Sequence, residues 1–274
     1  MKPGYILLFL LFFQQSVAQT ADVYYVIHLK GAVVNKTTGK PVIVGDKLGP
    51  KDQLKFPTAE DLAVVMSPTK GKYTVKPNPT KNANNEFVAF MQSAILPVKS
   101  NTHLSTRGSE ENGVMDMKNY FGSDKFVIVG ENISIRLNAE KYPMSDTKFF
   151  IYRYMHGEKP VSKKIEHNNG NLVIDKKALY TVDGTAIDPS TVQSVDIYYY
   201  DSATRNSTKV TTFSPVFLAE TTLKEECKVQ KDVYKGQNMN HDQIDKELHK
   251  YVTDVYGKTD DDILEKWIKA NHAD

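Results

Sequence analysis

The chain has 274 residues, with 35 Lys and Arg against 33 Asp and Glu, for a formal net charge of +2. That balance excludes the basic footprint of a nucleic-acid-binding protein and gives no electrostatic reason to bind anionic lipid. A single cysteine, Cys227, excludes an internal disulfide, and 15 Tyr and 12 Phe in a 40% hydrophobic chain exclude disorder over its whole length.

Residues 1–18 read as a secretory signal peptide. Lys2 is a positive n-region and Tyr5 to Phe13 an apolar h-region. Ser16-Val17-Ala18 supplies small residues before a cleavage between Ala18 and Gln19. The apolar run is shorter than the about 20 residues that span a bilayer. No cysteine stands near position 18, so a lipoprotein anchor is not expected. The expectation is an exported soluble protein, periplasmic or secreted, and the missing disulfides favour a bacterial periplasm.

Residues 22–76 predict short strands divided by turns. Tyr24 to Leu29 is a strand ended by Gly31, and Thr37-Thr38-Gly39-Lys40 is a turn. Leu54 and Phe56 share one strand face, Leu62 to Met66 is a run of the buried type, and Lys72 to Val75 follows the turn at Pro68 to Gly71. This spacing predicts a small barrel or sandwich. Residues 77–118 read as a connector with one anchoring segment within Phe87 to Val98.

Residues 119–218 predict an antiparallel β-sandwich. Phe126–Val129 and Ile133–Leu137 flank Gly130-Glu131 as a hairpin would. Phe149 to Tyr154 places Phe150, Tyr152 and Tyr154 on one face, His167 to Asn171 is a turn, and Val195 to Tyr200 and Val210 to Phe217 are further strands. Residues 219–274 form a helical segment. Ile244, Leu248, Tyr251, Val252 and Val255 mark one helix face, Asn240 caps it with Gln243, and Gly257 takes the C′ position. A further helix starts at Thr259, with Asp260, Asp261 and Asp262 in its first turn, and residues 221–233 form another. The fold class is therefore mainly β with a C-terminal α-helical segment.

Few residues suggest chemistry. His241, Asp245 and His249 share a helix face, but nothing supplies a fourth metal ligand, and they read as a solvated face. The aspartate run lacks the spaced oxygens of a calcium loop. Nucleophile-elbow, phosphate-loop and dinucleotide motifs are missing, and Cys227 lacks the surroundings of a catalytic thiol. No catalytic residue, metal or cofactor is assigned. The candidate ligand surface is Tyr152, Tyr154, Tyr198 and Tyr200, whose rings would stack on sugars or peptides.

The spacing across residues 26–75 carries a resemblance. Val26 precedes Ala32-Val33-Val34, then come Thr38-Gly39-Lys40, Val44-Gly45-Asp46-Lys47-Leu48, Asp52-x-Leu54-x-Phe56 and Pro68-x-x-Gly71-x-Tyr73-x-Val75. This resembles the FecR-type periplasmic β-domain. Anchored members of that family relay an outer-membrane signal to a sigma factor. With no membrane-spanning helix read ahead of the motif, the resemblance implies an interaction module and not the relay. Leu104 to Gly108 and Tyr256-Gly257-Lys258 look similar to exported proteins of Bacteroidetes-type bacteria. The expectation is a non-enzymatic binding protein of the cell envelope, its partner another envelope protein or a glycan. The alternatives are a hydrolase of envelope polymers with dispersed carboxylates, or a structural spacer in a surface assembly.

Overall fold

A computed structural model describes residues 22–77, 87–90, 95–97 and 112–272. The expected leader with its Ala18–Gln19 cleavage point, and most of the expected connector, lie outside them. The structure is mainly β, with several antiparallel sheets and three C-terminal helices.

Two sheets form the N-terminal part. One runs Lys47–Leu48, Tyr24–Lys30, Leu62–Ser67, Gly71–Val75 and Ile95–Pro97, each pair antiparallel. The other runs Lys40–Pro41, Val34–Asn35, Gln53–Phe56 and Phe87–Phe90. Residues 87–90 and 95–97 thus each add an edge strand. Val26, Ala63, Val65 and Val75 point into a core shared with Val33, Leu54 and Phe56. Ile27, Val64 and Met66 point the opposite way, into a second core under the helices. Both faces of this strand pair are buried, so Leu62 to Met66 is apolar throughout instead of alternating.

The middle of the chain forms a larger sandwich. Its six-stranded sheet runs Lys159–Lys164, Lys148–His156, Val195–Asp201, Asn206–Leu218, Lys125–Val129 and Lys258–Thr259. The last two pairings are parallel, so this sheet is mixed at one end. A three-stranded sheet of Asn132–Arg136, Asn171–Asp175 and Glu166–Asn168 faces it. Between them lie Phe126, Phe150, Tyr152, Tyr154, Ile197 and Phe213 from the large sheet and Ile133, Ile135, Leu172 and Ile174 from the small one. A short helix α1, Met117–Phe121, closes this core, its Phe121 ring stacked 4.2 Å from Phe213.

The hairpin expected around Gly130-Glu131 does not form. Lys125–Val129 pairs with Asn206–Leu218, while Asn132–Arg136 pairs with Asn171–Asp175 in the facing sheet. The chain crosses the sandwich at this turn, so Ile128 and Ile133 enter the core from opposite sides. The turn at Asn169 and Gly170, with φ of +49° and +79°, joins two strands that do pair.

A one-turn helix, α2, spans Lys176–Leu179. The C-terminal helices are α3 (Glu220–Gly236), α4 (His241–Val255) and α5 (Asp261–His272). Ile244, Leu248, Tyr251 and Val252 are buried as their spacing requires. The helices cover the sandwich and the N-terminal sheet together, so Leu223, Leu248 and Leu264 share a core with Ile27, Val64, Val127 and Leu218. Asn240 and Gln243 form a reciprocal capping box. Asn240→Ala should cost about 1 kcal/mol, which urea unfolding would measure; an unchanged midpoint would show that the box adds nothing.

The last helix begins two residues later than its sequence suggests. Thr259 is in a strand beside Val127, with its hydroxyl bonded to the Val127 carbonyl at 3.1 Å. Asp260 Oδ1 accepts the Ile263 N–H at 3.0 Å, as a capping side chain does. Gly257 holds the C′ position, but its φ of +127° lies beyond the left-handed helical region. A Cβ there would stand 2.8 Å from the Lys125 carbonyl oxygen, because the chain turns at once into the sheet.

Candidate functional site

The four candidate tyrosines divide between two surfaces. Tyr152 and Tyr154 are 0% and 2% exposed and belong to the sandwich core. Tyr152 and Tyr180 share a hydroxyl–hydroxyl bond of 2.8 Å, and Tyr154 donates to the Leu179 carbonyl at 2.9 Å. These two are therefore not ligand-surface residues. They alternate in phase with Phe150, and the Phe–Tyr–Tyr stripe is the inward face of its strand.

Tyr198 and Tyr200 stand on the other face of the same sheet. Tyr152 pairs with Ile197, which is buried, and Tyr198 follows in the opposite phase. Ile151 pairs with Tyr198 and Phe149 with Tyr200, and all four are half-buried. The Phe149 and Tyr200 rings meet edge-on, their centroids 5.3 Å apart. Lys164, from the edge strand, lies over the Phe149 ring at 4.3 Å. Arg153 pairs across the strands with Asp196 and is exposed, as is Met155.

Asp196 is the carboxylate of this face. Lys209 reaches it at 2.6 Å and the Thr212 hydroxyl donates to it at 2.7 Å. Burial works against its ionisation, and those two hydrogen bonds, with the charges of Lys209 and Arg153, overcome that and hold its pKa below the ordinary range. The helices pack on this face at its far end, over Val127, Val129, Val216 and Leu218. Among the described residues, no helix covers the same face beyond Thr212.

A second cluster lies where the N-terminal sheet meets the helices. Glu226 on α3 is 1% exposed. Its Oε1 is 2.8 Å from His28 Nδ1. Tyr251 donates to Oε2 at 2.8 Å, and Tyr256 donates to both oxygens at 2.7 Å. Burial, and then the adjacent Glu226 charge, push both phenols far above their ordinary range, which keeps them as donors. Nearby, Lys72 sits beside the Tyr234 and Tyr251 rings with its Nζ 3.5 Å from the Glu247 carboxylate. Burial lowers the Lys72 pKa against the raising effect of Glu247. These contacts join the N-terminal sheet to α3 and α4.

The remaining candidates take structural places. Cys227 is a free buried thiol that burial pushes up to about 12, far from thiolate reactivity. His241 is exposed, while His249 Nε2 is 3.0 Å from Asp261. Asp242, Asp245, Asp261, Asp262 and Glu265 line a cleft of about 530 Å³ beside His249, and each is half-buried or exposed. Among the described residues no group of three or more His, Cys, Asp or Glu is placed to hold a metal ion. Nor, among them, is any helix long and apolar enough to cross a membrane.

Comparison with protein-family models and with curated proteins finds no match to this chain.

Proposed function

We propose that this is a non-enzymatic, exported binding protein of the bacterial cell envelope, and that the uncovered face of the six-stranded sheet is its binding surface. One observation carries the reading. A single continuous sheet face is packed under helices at one end, yet presents Phe149, Ile151, Tyr198 and Tyr200 half-buried at the other. Rings that are neither core nor fully solvated, grouped with exposed Arg153 and Met155, have the make-up of contact surfaces. The signal-like leader supports export, and the FecR-like spacing of residues 26–75 supports an interaction module.

The carboxylates of the cleft beside His249 do not favour the hydrolase reading. A catalytic acid is kept protonated by an apolar pocket, and these side chains are solvated or serve the N-terminus of α5.

The test exposes immobilised protein to purified envelope polysaccharides and peptides, beside a Tyr198→Ala/Tyr200→Ala variant. The wild type should retain a ligand that the variant binds at least about tenfold more weakly, with its unfolding midpoint unchanged. Binding at full strength without both rings would move the site elsewhere.

A further inference from the structure

We infer that the uncovered sheet face recognises an acidic polysaccharide, its sugar rings stacking on Phe149, Tyr198 and Tyr200 and its carboxylates meeting Arg153 and Lys164. The inference rests on the binding reading above and names the ligand class of that face.

Charge is the first argument. The whole chain is nearly neutral, but this face is not. Its carboxylate, Asp196, is already engaged by Lys209 and Thr212, which leaves that pair internally neutral. Arg153 stands exposed beside it, and Lys164 is exposed over the Phe149 ring. The face therefore offers net positive charge next to aromatic surface. A guanidinium fork suits a carboxylate and forms bonds stronger than those between neutral groups.

Shape is the second. Cross-strand pairing sets Phe149 beside Tyr200 and Ile151 beside Tyr198. Successive rows on one face are roughly 7 Å apart. The rows group four half-buried apolar side chains on one face, with the Phe149 and Tyr200 rings inclined 61° to each other, and ring surface of this kind suits the apolar face of a pyranose. A peptide joining as a further strand is disfavoured. The edge strand Lys159–Lys164 carries Pro160, which lacks an N–H, and Lys159, Lys163 and Lys164, the features that blunt a sheet edge.

Titration calorimetry on the full chain tests this with polygalacturonate (carboxylated), mannan (neutral) and polyglutamate (an acidic peptide). The expected result is binding of polygalacturonate over mannan and polyglutamate, weakened by salt. Tyr200→Ala and Arg153→Gln should each weaken it about tenfold without moving the unfolding midpoint. If mannan binds equally and only Tyr200→Ala matters, the face stands as a binding surface and the acidic class is overturned. If polyglutamate binds as well and Tyr200→Ala changes nothing, charge alone acts and the inference fails. Absence of binding by all three polymers also overturns it, while the wider panel described above decides separately whether the face binds anything.

Discussion

Glu226→Ala should destabilise the protein by about 3–5 kcal/mol, the cost of removing one partner from a buried charged cluster. Glu226 is 1% exposed and accepts from Tyr251 and Tyr256 while facing His28. Without it, among the described residues, the Tyr256 hydroxyl and the His28 ring keep each other, at 3.0 Å, and Tyr251 keeps the Ile27 carbonyl, at 3.2 Å. Glu226→Gln retains one acceptor oxygen and should cost less, about 1–3 kcal/mol. Urea unfolding of both variants gives the comparison. Equal losses would mean that volume, and not the acceptor pair, matters at this site. A loss under about 1 kcal/mol for the alanine variant would show that the cluster does not hold the N-terminal sheet to the helices.

Phe149 and Phe150 are chain neighbours that should respond in opposite ways. Phe150 is 0% exposed, between Tyr142 and Tyr199 at 5.5 and 5.0 Å. Truncation to alanine leaves a cavity in a close-packed aromatic core, and Phe150→Ala should cost about 3–5 kcal/mol. Phe149→Ala removes a half-buried ring from the uncovered face and should cost less than about 1 kcal/mol while weakening ligand binding. Thermal unfolding separates the two. A large loss at Phe149 would mean that the ring is part of the core, and the proposed binding surface would lose its centre.

The same alternation shows what could be read from the sequence. Period-two spacing set Phe150, Tyr152 and Tyr154 on one face, and the structure buries all three. That spacing could also have removed Tyr152 and Tyr154 from the ligand surface, since they share the phase of a core phenylalanine. Tyr198 and Tyr200 carry the matching signal, out of phase with Val195 and Ile197. The Asn169-Gly170 turn, the α4 stripe and its capping box were legible because each is decided within a few residues. The Gly130 turn was not, because two strands joined by a short turn can pair with each other or cross to a facing sheet. The Glu226 cluster left no local trace. Its partners His28 and Tyr256 lie 198 and 30 positions away in the chain, and no periodicity connects them.

Those separations bear on how the protein reaches its native state. Tyr251 bonds Ile27 across 224 positions, and Tyr256 meets His28 across 228. Contacts so distant are closed late and slowly, since the loop entropy is lost before they form. As the chain folds, the N-terminal sheet can complete its inner core first, but Ile27, Val64 and Met66 have the cover of the helices only once α3 and α4 dock. Until that step the folding chain carries an adhesive apolar strip, the kind of surface that makes folding intermediates prone to aggregate.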